Sequence, residues 1–225
     1  MLSSRKMVKL YYDVASPYSW LAFEVLFRYR NVWNIDLKLK PVYLGGVIRG
    51  SGNRPPGVIP NKLLYMISDL TLLSQYFEVP MLQPKPDYEI DSLIPMRFVT
   101  VVAEKDKKGD MLVERVSREL WKRIWGTHQH ITLPDSLTEA GLRAGLSGNE
   151  VEEILTLTKS QPIKDKLKSV TQEALEYKCF GLPFIVCHVN GKDKCFFGAD
   201  RFELMAYFIG EKWMGPHPTN LTTTT

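Results

Sequence analysis

Ser16-Pro17-Tyr18-Ser19 sets a hydroxyl directly ahead of a proline. Serine is favoured as a helix N-cap and proline at the first helical position, so a helix starts here. Such a start presents unpaired N–H groups and the positive end of the helix dipole. A Ser16 hydroxyl beside it can donate a hydrogen bond to a bound thiolate and favour ionisation of a thiol whose ordinary pKa is about 8.5. The plainer role for Ser16 is the cap itself. Phe180-Gly181-Leu182-Pro183-Phe184 places a proline just before a β-rich run, which marks a strand start, an edge or an ordinary turn. Backbone exposed there could take an extended peptide by strand addition. Gly198-Ala199-Asp200-Arg201 reads as a glycine turn into a helix, a natural seat for a carboxylate. Asp200 could hold an ammonium group, or it could simply cap that helix together with Glu203. Asn53, in a glycine-rich stretch, and Lys62 beyond it supply an amide and a cation for another peptide end; an Asn in such a stretch also makes turns.

Other chemistry fits less well. Ser16 and Ser19 stand where a C-x-x-C pair would be needed for redox work, and a hydroxyl forms no disulfide. His128 and His130 have no acidic or cysteine partner at metal-ligand spacing, so no metal is expected. Asp13, Ser16 and a histidine could suggest a hydrolase triad, but no G-x-S-x-G elbow occurs. The three cysteines, Cys179, Cys187 and Cys195, form no C-x-x-C pair, and their odd number fits reduced, buried thiols better than a disulfide framework.

These groups need elements to hold them. Residues 8–14 form a β-rich run, and Trp20, Phe23 and Phe27, with Leu21 and Val25, follow at helical spacing as far as Arg30. Residues 36–43 alternate as a second strand, where Pro41 signals an edge or a bulge. Strand, helix, strand is most economically a parallel βαβ unit. Residues 45–60 hold five glycines and three prolines and read as a long shaped loop. From Asn61 to Tyr177 the pattern is helical. Leu63, Met66, Ile67 and Leu70 share a face, and Ser136 with Glu139 and Ser147 with Glu150 resemble capping boxes. Strand pattern returns at Phe184, turns at Asn190-Gly191, runs back from Lys194 to Phe197, and ends in a helix to Ile209. The order predicts an α/β protein: a thioredoxin-like fold with an inserted all-helical domain, comparable to disulfide oxidoreductases in topology. Its parts are residues 1–60 (first part of the thioredoxin-like domain), 61–178 (the helical insertion) and 179–225 (the second part and tail). In such folds the proline at position 183 is cis, faces the helix start, and leaves Leu182 to pair with an extended ligand.

Length and composition agree. The 225 residues, 44% hydrophobic and 24% charged, fit one large domain or a domain with an insertion. A net charge of +4 is too small to predict nucleic-acid binding. No run of about 18 apolar residues could span a membrane. The first seven residues lack the apolar core of a signal peptide, and the chain ends in four threonines rather than an S-K-L type address.

Taken together the motifs resemble the kappa class of glutathione transferases along nearly the whole chain. The likeness runs from Tyr12-Asp13-Val14 and Ser16 to Leu21, through residues 51–57, Ser117 to Trp121, Phe180 to Pro183 and Phe197 to Arg201, to residues 210–216. The resemblance implies a homodimer that binds glutathione as co-substrate, with Ser16 as the catalytic residue. It implies Ser16, Pro17, Tyr18, Asn53, Lys62, Leu182, Pro183, Ala199, Asp200 and Arg201 as glutathione contacts. Position 199 departs from the family, which often carries a hydroxyl there. The second substrate would be a small electrophile or peroxide, and the location mitochondrial or peroxisomal. The same scaffold resembles a glutathione-dependent isomerase of the 2-hydroxychromene-2-carboxylate type. A non-catalytic peptide or glutathione binder is the other reading.

Overall fold

The computed structural model describes residues 5–84, 90–106, 109 and 111–218. The first four residues and the terminal threonines lie outside them. Strand β1 (Lys6–Tyr12) runs into helix α1 (Pro17–Tyr29) and strand β2 (Ile35–Pro41), and β1 and β2 are parallel from Lys6↔Ile35 to Tyr12↔Pro41. After the helical stretch, β3 (Phe184–Val189) lies antiparallel to β1 and forms a hairpin with β4 (Lys192–Phe197) through Asn190 and Gly191, both at positive φ. The sheet order is β2-β1-β3-β4, so Pro41 sits on an edge strand, where its missing N–H does no harm.

Period-two alternation divides the sheet between two cores. Val8, Leu10 and Tyr12 of β1, with Ile185 and Cys187 of β3, join the large core with α1 and α9 (Phe202–Ile209). Tyr11, Phe184 and Val186 point the other way, into a smaller core with Val47 and Ala174. Between β2 and β3 come α2 (Leu44–Ser51), α3 (Pro60–Phe77), α4 (Leu93–Lys105), α5 (Met111–Trp121), α6 (Pro134–Arg143), α7 (Gly148–Leu157) and α8 (Gln161–Glu176). Helix α8 returns to the sheet. Its Glu173 accepts hydrogen bonds from Lys9 (2.9 Å), Tyr11 (2.6 Å) and Lys40 (3.2 Å).

Four local expectations need correction. Residues 45–60 are not one loop, because Leu44–Ser51 is helical. The glycines there serve close approach rather than flexibility: a Cβ on Gly50 would stand 2.5 Å from Leu175, and one on Gly46 3.1 Å from Thr171, both on α8. Ser136 caps nothing, since α6 starts one turn earlier with Pro134 behind Leu133. Asp200 does not cap α9, whose N-cap is Arg201, with no side-chain cap bond. Cys195 is exposed, whereas Cys179 and Cys187 are buried. The capping box of Ser147 and Glu150 is present in full.

Candidate functional site

The strand β1 stops at Tyr12 because the next residue turns the chain. Asp13 Oδ1 accepts from Ala15 N (2.8 Å) and the Asp13 carbonyl from Ser16 N (3.0 Å). That turn delivers Ser16 to the N-cap of α1, where its Oγ accepts from Ser19 N at 3.1 Å. The same oxygen donates its proton to the Leu182 carbonyl at 3.2 Å. Ser16 is 4% exposed and Leu182 6%. The Leu182–Pro183 peptide is cis, and the Pro183 carbonyl accepts from Gly198 N at 3.1 Å. Thus the serine turn, the proline turn and the approach to α9 form one continuous hydrogen-bonded surface.

Asn53 reaches this surface from another side. It follows Gly52, the left-handed C-cap of α2, and its Nδ2 donates to the Phe180 carbonyl at 2.7 Å. Its Oδ1 accepts from Arg54 N at 2.8 Å. A primary amide has two N–H donors, so one remains for a ligand. The Phe180 and Phe197 rings lie 4.5 Å apart beside it, both partly exposed.

Pro17 is buried at the first turn of α1. The Tyr18 hydroxyl donates to Asp69 Oδ2 on α3 at 2.9 Å; burial first, then Asp69, and more weakly Asp200, push its pKa up. Ala199 is 2% exposed and belongs to the core, so it offers backbone alone. Asp200 and Arg201 are exposed, with Arg201 Nε 3.7 Å from Asp200 Oδ1. Because α9 begins beyond Asp200, that carboxylate is not taken up by capping. Lys62 is exposed on the first turn of α3.

Sequence reasoning did not find what surrounds Asp13. Its carboxylate is fully buried, and its Oδ2 accepts from Leu44 N and from Ser92 Oγ, each at 2.7 Å. Burial pushes its pKa up to about 6, against the pull of those donors. The only local signal was an acidic residue three positions before Ser16. The sequence marks Ser19 only as the second position of the absent C-x-x-C pair. Its Oγ is buried with no hydrogen-bond partner among the described residues.

The arrangement can stabilise an anion at the α1 start while pairing an extended backbone at Leu182. Neither Ser16 nor Ser19 allows dithiol exchange. Among the described residues no group of three or more His, Cys, Asp or Glu side chains could hold a metal ion, and no helix is long and apolar enough to cross a membrane.

Comparison with known proteins adds to this geometry. The DSBA-like thioredoxin domain family matches residues 7–210. Human glutathione S-transferase kappa 1 is 44% identical over 217 residues, 95% of each chain, and the rat protein of the same name is 43% identical over 220 residues, 96% of each. The solved structure of a 2-hydroxychromene-2-carboxylate isomerase superposes with a TM-score of 0.69 at 20% identity, over 91% of this chain and 94% of that one, which is a likeness of fold.

Proposed function

The chain belongs to the kappa class of glutathione S-transferases, built on a DSBA-like thioredoxin domain, and from that premise we propose that Ser16 stabilises the thiolate of glutathione held against Leu182. The observation that carries this reading is the hydrogen bond from Ser16 Oγ to the Leu182 carbonyl across the turn at Pro183. Glutathione is a peptide whose cysteine lies between two amides. Strand addition would pair its cysteinyl N–H with the Leu182 carbonyl. That carbonyl then gives up the Ser16 proton, and the hydroxyl turns to the sulfur. Its other role, accepting from Ser19 N, is unaffected, because a hydroxyl donates and accepts at once. The buried hydroxyl and the helix dipole both favour the anion, so the bound thiol ionises below its ordinary pKa of about 8.5.

The remaining groups suit the two ends of the tripeptide. The γ-glutamyl carboxylate fits the backbone ahead of α9 at Ala199, and its ammonium fits the exposed Asp200. The second N–H of Asn53 and the Lys62 ammonium serve the rest of the ligand. The thiolate attacks a small electrophile, forming the carbon–sulfur bond as the leaving group departs with its electron pair. A second copy of this chain is the partner that would cover the exposed side chains Leu64, Tyr65, Leu72 and Tyr76 of α3, which are 53–69% exposed.

The test is thiolate difference absorbance of bound glutathione across a pH series. Wild type should show a lowered thiol pKa, and Ser16→Ala should bind glutathione without that shift. A shift that persists in Ser16→Ala assigns the stabilisation to another group. Turnover that returns all glutathione unconsumed identifies the isomerase chemistry of the alternative reading.

A further inference from the structure

A single carboxylate holds together the segments that carry the two sides of the site. Asp13 Oδ1 binds Ala15 N, next to Ser16. Its Oδ2 binds Leu44 N, which opens the helix leading to Asn53, and Ser92 Oγ, which precedes α4. These partners lie 2, 31 and 79 residues away in sequence. We propose that Asp13 is a positioning residue that sets the spacing between the Ser16 turn and the Asn53 arm, and thereby the affinity for glutathione. The inference rests on the glutathione reading above.

Three converging donors call for an acceptor-only group with two oxygens, which describes an ionised carboxylate. Asparagine has one acceptor oxygen, so its NH2 would confront either Ala15 N–H or Leu44 N–H. Among the described residues no cation pairs with the Asp13 carboxylate. The charged group that acts on Asp13 is the Asp91 carboxylate ahead of α4, of like sign. Tyr43, the N-cap of α2, is the other titratable group that acts on Asp13, and Arg49 of α2 acts on that phenol in turn. A fully buried, unpaired anion opposes folding. Its presence between the two ligand-bearing segments points to a role in the site. Protonation removes the charge that strengthens the bonds from the Ala15 and Leu44 N–H groups and takes up one lone pair, so the clamp loosens as pH falls through about 6.

The experiment is calorimetric binding of S-methylglutathione, which has no thiol to titrate, across the range around pH 6. For wild type the affinity should fall about tenfold on the acid side, the scale expected of a coupling through packed segments. Asp91→Asn should move the midpoint to lower pH and leave the neutral-pH affinity unchanged. Asp13→Asn should bind about tenfold more weakly at neutral pH and lose the pH dependence. Flat wild-type affinity through pH 6, an unmoved midpoint in Asp91→Asn, or wild-type affinity in Asp13→Asn overturns the proposal. If Asp13→Asn does not fold, the wild-type and Asp91→Asn series still decide. Absence of wild-type binding at every pH instead defeats the glutathione reading, and this inference with it.

Discussion

Two carboxylates, one just past the end of β1 and one on α8, are held in opposite ways. Asp13, at the candidate site, is fully buried with three neutral donors and a neighbouring acid, and its pKa rises to about 6. Glu173, under the smaller core, is partly exposed. There burial works to raise its pKa, but Tyr11, Lys9 and Lys40 outweigh it and bring the value down to about 2. One carboxylate is ionised at a cost to the fold, and the other is ionised to its benefit. The Glu173 cluster is built for stability. The end of β1 keeps a carboxylate with no cationic partner among the described residues, beside the groups that would bind ligand, which is where perturbed pKa values tend to gather.

The strongest way to break this comparison is the pH dependence of stability. Asp13 has a folded pKa above its unfolded value, so its contribution to stability is fully present below about 3.8 and is lost as pH rises through about 6. The loss amounts to about 3 kcal/mol. Asp13→Asn should therefore gain about that much on wild type between acid and neutral pH, as followed by denaturant unfolding. A constant difference would mean that Asp13 is not the titrating group.

Next in size is Ser16→Ala. It should lower the kcat for conjugation about a hundredfold, as loss of a donor to a developing or resident anion does elsewhere. Glutathione affinity should change much less, because backbone pairing at Leu182 remains. Equal losses in both would make the serine a binding group.

On α8, Glu173→Gln should lower stability by about 1 kcal/mol, after discounting for its solvent exposure, and leave conjugation unchanged. Glu173 has a lowered folded pKa. Its contribution is present above the unfolded value of 4.5 and fades as pH falls towards 2, opposite in sign to Asp13. Thermal melts of the variant should therefore fall below wild type above pH 4.5 and converge on it as pH falls towards 2. The smallest expected effect is Ser19→Ala. Removing a buried hydroxyl with no partner should raise stability by about 0.5 kcal/mol, and a clear loss in the melt would reveal a hydrogen bond that the fold hides.

The parts of this arrangement that were legible in the sequence are those with short-range causes. Ser16-Pro17 announces a helix start through local cap chemistry, Asn190-Gly191 announces a hairpin, and Pro41 announces an edge. The α2 helix is hidden because Gly45, Gly46 and Gly50 read as a shaped loop, when Gly46 and Gly50 in fact clear space for Thr171 and Leu175 on a helix more than a hundred residues onward. The Asp13 clamp was hidden for a similar reason, since two of its donors come from distant segments. The start of α9 was misplaced by one residue, and that residue decides whether Asp200 faces the helix or solvent.

The distance along the chain between Ser16 and Leu182 has a consequence for synthesis. They are 166 residues apart, and β3 must lie beside β1 before they meet. At roughly 5–20 residues per second, a ribosome takes on the order of ten to thirty seconds to cover that interval. Throughout it, the strand leading to the serine waits with one edge unpaired. A chain halted anywhere before the final hairpin carries the helix start without its opposite wall, so a truncated product is inert rather than partly active.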